Sequence, residues 1–329
     1  MLDKARAIFK EIGIARGIII AFLLILIFLA GVYNIPLPAL MSNVLVRVGM
    51  NGIFVLAMLP AIVSGIGPNF GLPLGILGGL VGALLAIEWG FTGLTAIAVA
   101  MLAGLPLAIL IGIAYGWLLN KVKGSEMMVA TYVGFSFVSL MNIAWILLPF
   151  KSGVMRWPIG RGLRVTISLE RLYDQVLNKL WDFSIGGLYV PTGLLLVFLL
   201  LCLGIWVFMR SKTGIAMKAV GDSRQFAAAS GLSVDKNRIL GTTLSTALGA
   251  VGIVVFSQSY GFLQLYEAPM FMGFDAVAAI LIGGATVRKA SISNVIIGAI
   301  LLQGLLVVAL PVANKIITVG GVAEITRII

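Results

Sequence analysis

Long apolar runs without a charged side chain dominate the sequence. They occupy residues 17–46, 48–87, 89–120, 127–150, 183–209, 239–266 and 290–314. A helix needs about 20 apolar residues to cross a bilayer, and several of these runs are long enough for two spans or for a break. The pattern therefore predicts nine or ten membrane helices, of which nine are placed at 17–34, 43–62, 70–87, 93–119, 126–148, 188–209, 238–258, 269–286 and 291–311.

The composition agrees with this pattern. Apolar residues make up 60% of the 329 positions and charged residues 11%, whereas soluble domains are about 45–50% apolar and about 25% charged. The fold predicted is an all-α polytopic membrane protein, with one transmembrane domain over residues 1–329. Residues 314–329 are typical of the start of a tenth helix.

Two of the predicted spans lead into irregular stretches rich in Gly, Pro and polar residues. The second span runs into residues 60–73, and the seventh runs into residues 258–269. The breaks lie five spans apart, and an odd offset predicts opposite orientations, as in an inverted repeat. Paired broken helices mark a substrate path in many transporters, but Gly and Pro also allow close helix packing, and both interpretations stay open here.

The net charge of +11 suggests contact with anionic lipid rather than with nucleic acid. Basic residues concentrate in the short loops of one side if the N-terminus is cytoplasmic, as the positive-inside rule requires. This topology predicts an external loop at residues 149–187 and a cytoplasmic segment at residues 210–237. The apolar spacing within residues 169–181 predicts an interfacial helix anchored by Tyr173 and Trp181.

Several kinds of chemistry are excluded by missing residues. The chain has no histidine and one cysteine, Cys202, so it has no Ser-His-Asp triad, no internal disulfide and no Cys–His metal site. It also lacks a P-loop motif. Neither catalysis nor a metal or other cofactor is expected. Asp275 is the one strong candidate for a carboxylate within a span, which argues against an ion-coupled secondary transporter but leaves it as an alternative.

The cytoplasmic segment contains signals for a short helix at residues 223–230. Asp222 is a suitable N-cap, Gln225 stands three residues later as in a capping box, and Gly231 is a suitable stop. The helix is too short to cross a bilayer, and it carries Phe226 among alanines. It either inserts into a socket on another protein or lies on the membrane as an ordinary connection.

Three stretches resemble the permeases of type II ABC importers of the ribose-permease family, which includes nucleoside and branched-chain amino-acid relatives. The matching motifs lie within residues 43–66, 213–234 and 275–286, and the resemblance covers roughly residues 40–311. It implies a permease subunit that forms the path for a small neutral solute, with a monosaccharide ahead of a nucleoside or a branched-chain amino acid.

The resemblance also implies partners and a location. They are ABC ATPase subunits that bind the ATP, a second permease copy or paralogue, and an extracytoplasmic substrate-binding protein, in a bacterial cytoplasmic membrane. The residues expected to contact the ATPase are Asp222, Ser223, Arg224, Gln225, Phe226, Ala227, Ala228 and Gly231.

Two further sets of residues are predicted to have functional roles. Amide and aromatic side chains suit a neutral polyhydroxylated or ring-shaped substrate, and basic side chains of the external loop suit acidic groups on a binding protein. The predicted substrate path contains Asn51, Asn69, Phe70, Gln258, Phe271 and Asp275. The predicted docking residues for the binding protein are Arg156, Arg161 and Arg164.

Overall fold

The computed structural model describes residues 14–157 and 162–319, and the described part is mainly helical. The helices are α1 (Ile14–Val32), α2 (Leu37–Val63), α3 (Leu72–Glu88), α4 (Gly93–Lys121), α5 (Glu126–Leu147), α6 (Thr192–Arg210), α7 (Lys212–Asp222), α8 (Arg224–Ala229), α9 (Val234–Tyr260), α10 (Ala268–Ile282) and α11 (Ile292–Val319). Four strands of three residues each accompany them: β1 (Thr166–Ser168), β2 (Phe183–Ile185), β3 (Leu188–Val190) and β4 (Phe262–Gln264).

Each of the nine predicted spans coincides with one helix of this structure. Six helices are long and apolar enough to cross a membrane, namely α2, α4, α5, α6, α9 and α11. The apolar parts of α1, α3 and α10 are shorter. The chain is thus an all-α multi-pass membrane protein, as predicted. The tenth helix that the sequence suggests falls mainly on residues 320–329, outside the described residues.

Helix α3 lies at the centre of the bundle and is buried along nearly its whole length. Its glycines allow other backbones to approach closely. A Cβ atom on Gly75 would collide with the carbonyl group of Thr246 in α9, and one on Gly82 would collide with that of Ala100 in α4. Small residues are the usual means of packing helices tightly where lipid offers no hydrophobic driving force.

The helices break where the sequence predicts. The first break, residues 64–71, separates α2 from α3, and the second break, residues 261–267, separates α9 from α10. Helix α2 begins near the loop between α5 and α6, because the Ser42 hydroxyl accepts a hydrogen bond from the Tyr189 N–H (2.8 Å). Helix α9 ends near the same loop, because Gln258 accepts one from the Leu177 N–H (3.0 Å). The two broken helices therefore have opposite orientations.

We call the end of the bundle that holds residues 148–157 and 162–191 the loop end and the opposite end, which holds α7 and α8, the coupling end. The sequence-based prediction of a helix at residues 169–181 is wrong, because this part of the long loop forms successive turns. Arg171 and Gln175 adopt positive φ angles of 65° and 52°, which interrupt a helix every fourth residue.

Three apolar residues spaced along these turns are nevertheless buried. Leu169, Tyr173 and Leu177 are buried, at 0%, 1% and 5% exposure, so a repeat of four residues turns one side of the loop inward without a helix. The prediction that Tyr173 anchors the loop at the membrane surface is wrong, because this side chain is buried. Burial raises the pKa of its phenol above the usual range. Trp181, at 69% exposure, is the one of the two predicted anchors that lies at the surface.

Candidate functional site

Helices α7 and α8 form the predicted coupling segment. Ser223 is the N-cap of α8: its backbone is extended, and its hydroxyl accepts a hydrogen bond from the Phe226 N–H (3.3 Å). The prediction that Asp222 is the cap is wrong by one residue, because α7 continues through Asp222 and the Ser223 N–H still bonds to the Ala219 carbonyl. Gly231 follows the helix end with φ 79°, in the left-handed conformation that glycine favours.

The two faces of α8 differ in exposure. Phe226 is 68% exposed, although a side chain as large and apolar as phenylalanine normally packs against neighbours. Ala227, the next residue, is fully buried. Gln225 and Ala228 are exposed as well. Helix α8 thus presents an aromatic side chain outward while Ala227 packs against the bundle.

A carboxylate at the first residue of α5 holds this segment in place. Glu126 Oε1 accepts hydrogen bonds from the guanidinium groups of Arg224 (3.0 Å) and Arg238 (2.7 Å). Its Oε2 accepts one from the Gly124 N–H (2.8 Å). Arg238 is fully buried and also donates through Nε to Asn120 Oδ1 (2.8 Å). One acid therefore joins α5, α8 and α9.

The sequence did not identify this cluster. Glu126 is simply an acid near the start of a predicted span, and Arg238 is one basic residue among several in a predicted loop. The available signal was their position: each lies within five residues of the start of an apolar helix, at the same end of the bundle. Which charges meet depends on how the helices pack.

The first break is bound directly to the coupling segment. Arg224 donates a second hydrogen bond from Nη2 to the Gly65 carbonyl (2.8 Å). A Cβ atom on Gly65 would lie 3.0 Å from the Cα of Gly221 in α7, and one on Gly221 would collide with the Val63 carbonyl. The backbones of α7 and of the first break are therefore in direct contact, with no side chain between them.

A cavity of about 880 Å³ opens at this contact. It lies between the first break, the start of α5, the junction of α7 with α8, and residues 287–288. Charged side chains of both signs line it: Glu126, Asp222, Arg224 and Arg288.

Asn69, a predicted path residue, is 1% exposed and has several hydrogen-bond partners. Its Nδ2 donates to the Ser245 hydroxyl (2.8 Å), and its Oδ1 accepts from the Tyr115 hydroxyl (3.0 Å) and from the Gly71 N–H (3.0 Å). Asn69 thus fixes the shape of the first break against α4 and α9.

Three other predicted path residues lie on or near α10. The ring of Phe70 is 5.5 Å from that of Phe274, between centroids. Phe271, at 59% exposure, and Asp275 share the exposed face of α10 with Phe274. A carboxylate on the exposed face of an apolar helix indicates that water or another protein surface covers it.

The remaining two path residues lie elsewhere. Gln258 is fully buried at the loop end and donates to Asn178 Oδ1 (3.1 Å). Asn51 donates to the Arg47 carbonyl of its own helix (3.0 Å). The structure thus does not bring the six predicted path residues together at one place.

Of the predicted docking residues, Arg156 and Arg164 lie together near the start of the long loop. Arg164 donates from Nε to the Arg156 carbonyl (2.8 Å), and Arg156 pairs with Leu163 in an antiparallel bridge. Arg161 is outside the described residues. The Glu88 carboxylate holds the start of the loop by accepting from the Lys151 and Ser152 N–H groups (3.0 Å each).

Comparison with known proteins gives consistent matches. A family model described as "Branched-chain amino acid transport system / permease component" matches residues 40–326. The xylose transport system permease protein of Haemophilus influenzae is 24% identical over 328 residues, covering 85% of this chain and 86% of that protein. No solved structure matches significantly.

Two other relatives match shorter parts of the chain. The autoinducer 2 import system permease protein of an Enterobacter species is 27% identical over 64% of this chain and 57% of its own length. The high-affinity branched-chain amino acid transport system permease protein of Escherichia coli is 26% identical over 60% of this chain and 62% of its own length.

Proposed function

The chain belongs to the family of branched-chain amino acid transport system permease components, and on this premise we propose that it forms the membrane path of an ATP-driven importer for a small neutral solute. The family match agrees with the resemblance seen in the sequence motifs. The relatives are named as permease proteins, so the protein is a transport subunit, and ATP is bound and hydrolysed by a partner.

The solute we propose is a monosaccharide. The support is the extent of the matches: the xylose permease aligns over 85% of this chain, against 64% for the autoinducer 2 permease and 60% for the branched-chain amino acid permease. A nucleoside or a branched-chain amino acid is the alternative, and the family description favours the amino acid.

The observation that carries the proposal is the geometry of α8. The ATPase subunit binds Phe226, because this side chain projects from a short helix that is capped at both ends and held against the bundle by Ala227 and Arg224. Exposed aromatic residues are common anchors in protein interfaces. Movement of α8 then reaches the first break through Arg224 and through the backbone contact between Gly65 and Gly221.

This assignment defines the sides of the membrane. The coupling end faces the cytoplasm, and so does the start of α1, because only four residues separate the end of α1 from the start of α2 at the loop end. We propose a cytoplasmic N-terminus on the same ground. The long loop faces outward, where Arg156 and Arg164 contact acidic groups of a substrate-binding protein. A second permease copy or a paralogue covers the exposed face of α10 with Phe271 and Asp275.

Reconstitution tests the proposal. The chain is placed in proteoliposomes with its co-purifying ATPase and binding protein, and ATP hydrolysis and uptake are measured with monosaccharides, nucleosides and branched-chain amino acids. We expect uptake that requires ATP and is largest for a monosaccharide. Uptake by the chain without an ATPase would refute the importer and favour a secondary transporter, and stimulation by leucine or a nucleoside alone would change the substrate.

A further inference from the structure

A second, smaller cavity at the coupling end lies apart from the charged cluster around Glu126. It has a volume of about 270 Å³ and lies between the end of α2, the end of α6, helix α7 and the start of α11. Its inner wall consists of Leu59, Val63 and Met209, which are 2%, 6% and 5% exposed. This wall is apolar and closed to water on the protein side.

The outer part of the cavity is basic. Arg210 and Lys218 line it, and none of the lining residues that the structure describes is acidic. The guanidinium carbon of Arg210 lies 3.7 Å from the centre of the Trp206 ring, which also lines the cavity. This cation–π contact holds the Arg210 side chain in position. The salt bridges found among the described residues include neither Arg210 nor Lys218.

The depth of the cavity corresponds to the boundary of the bilayer. Arg210 is the last residue of one membrane-spanning helix, and Ile292, which also lines the cavity, is the first residue of another. The surface of α6 that leads away from it is exposed and apolar, with Leu199, Leu203 and Val207 at 53%, 52% and 56% exposure. Such a surface faces lipid acyl chains.

From this arrangement we infer that the cavity binds the phosphate headgroup of an anionic phospholipid, with the upper part of an acyl chain against its apolar wall. Two cations without a salt bridge among the described residues suit a phosphate, and basic pockets between membrane helices recognise such headgroups. The N-terminal end of α11 adds a positive partial charge at the same place. The cavity is slightly smaller than the ~300–1,000 Å³ of typical small-molecule sites, so it holds only part of the lipid.

Native mass spectrometry of the purified chain tests this inference. The chain is titrated with phosphatidylglycerol and, separately, with zwitterionic phosphatidylcholine. We expect the double variant R210Q/K218Q to bind phosphatidylglycerol roughly 30-fold more weakly, because each basic residue near an anionic headgroup contributes about fivefold, and to bind phosphatidylcholine as the unmodified chain does. The matched control K212Q/K236Q removes the same net charge from exposed residues outside the cavity.

Two further arms separate the sources of the phosphate. Ile292→Trp fills the apolar part of the cavity and keeps both cations, so we expect it to weaken phosphatidylglycerol binding as well. Inorganic phosphate and glycerol 3-phosphate should not displace the lipid at equal concentration. Equal loss in R210Q/K218Q and in its control, no effect of Ile292→Trp, or displacement by the soluble phosphates would each overturn the site. None of these outcomes depends on the proposed transport function.

Discussion

The two helix breaks have the same place in the topology and are held in different ways. The first break is bound by side chains: Arg224 reaches its Gly65 carbonyl, and Asn69 anchors it to α4 and α9. The second break is bound by backbone, because β4 pairs with β1 of the long loop and the Leu169 N–H donates to the Gly261 carbonyl (3.0 Å). Side-chain hydrogen bonds can exchange partners one at a time, whereas a backbone ladder must separate as a unit.

This difference indicates which break moves. The first break adjoins the helix that carries the exposed Phe226, and its side-chain hydrogen bonds can change without unfolding any element. The second break is fixed to a loop whose turns are packed by buried Leu169, Tyr173 and Leu177. We therefore expect motion at the first break, with the second as a fixed reference. Four predictions, in order of decreasing effect, test this expectation.

The largest effect is expected for Glu126→Ala. It leaves the fully buried Arg238 guanidinium without its acid, and removing one partner of a buried pair costs about 3–5 kcal/mol. Thermal unfolding in detergent should show a large drop in the midpoint. Glu88→Ala is the matched control at the loop end, since its carboxylate accepts only backbone N–H groups; an equal drop there would contradict the comparison.

The second-largest effect is expected for Phe226→Ala, and it should be on binding of the ATPase. Loss of an aromatic anchor costs about 2 kcal/mol or more in an interface, so ATPase affinity should fall roughly 30-fold. The unfolding midpoint should not change, because the side chain is exposed. Ile215→Ala in α7, where the side chain is 59% exposed, is the control. Unchanged ATPase binding in Phe226→Ala would remove the proposed coupling role of α8.

Gln258→Leu tests the fixed break. It removes the acceptor of the Leu177 N–H and the donor to Asn178, and unsatisfied buried groups cost about 1–3 kcal/mol. We expect lower thermal stability and an unchanged ratio of ATP hydrolysed to solute transported. If the KM for the solute rises instead at unchanged stability, Gln258 lines the path as the sequence suggested.

Arg224→Gln should have the smallest effect on stability and a specific effect on coupling. Its side chain is 41% exposed, and such ion pairs contribute about 1 kcal/mol or less. The fold should stay intact while more ATP is hydrolysed per solute, because the link from α8 to the Gly65 carbonyl is lost. Arg224→Lys keeps the charge and should restore part of the coupling; a ratio equal to that of the unmodified chain in both variants would argue against the link.

The sequence predicted the helices well because apolar runs of membrane length have few alternatives. The nine spans, both breaks and the short α8 all follow from runs, Gly–Pro stretches and capping residues. The prediction of a helix in the long loop failed because an apolar repeat of four residues is compatible both with a helix and with a series of turns. The decisive conformations, those of Arg171 and Gln175, involve residue types that rarely adopt positive φ.

The candidate site could be predicted only in part. Phe226 stood out because it is a single aromatic residue among alanines in a short helix. The partners of Glu126 could not be identified, because Arg224 and Arg238 are 98 and 112 positions away and meet it only once α5, α8 and α9 are packed. The predicted path residues were chosen by side-chain chemistry alone, and chemistry does not show that Gln258 faces the long loop.

The contact between Gly65 and Gly221 has a mechanical consequence. Two backbones that touch leave no flexible side chain to absorb a displacement, so a shift of α7 by a fraction of an ångström must move the break as well. Any larger residue at position 221 would wedge the two segments apart and hold them in one arrangement. The speed of the transport cycle would then be limited by the stiffness of this joint rather than by the strength of any ionic bond.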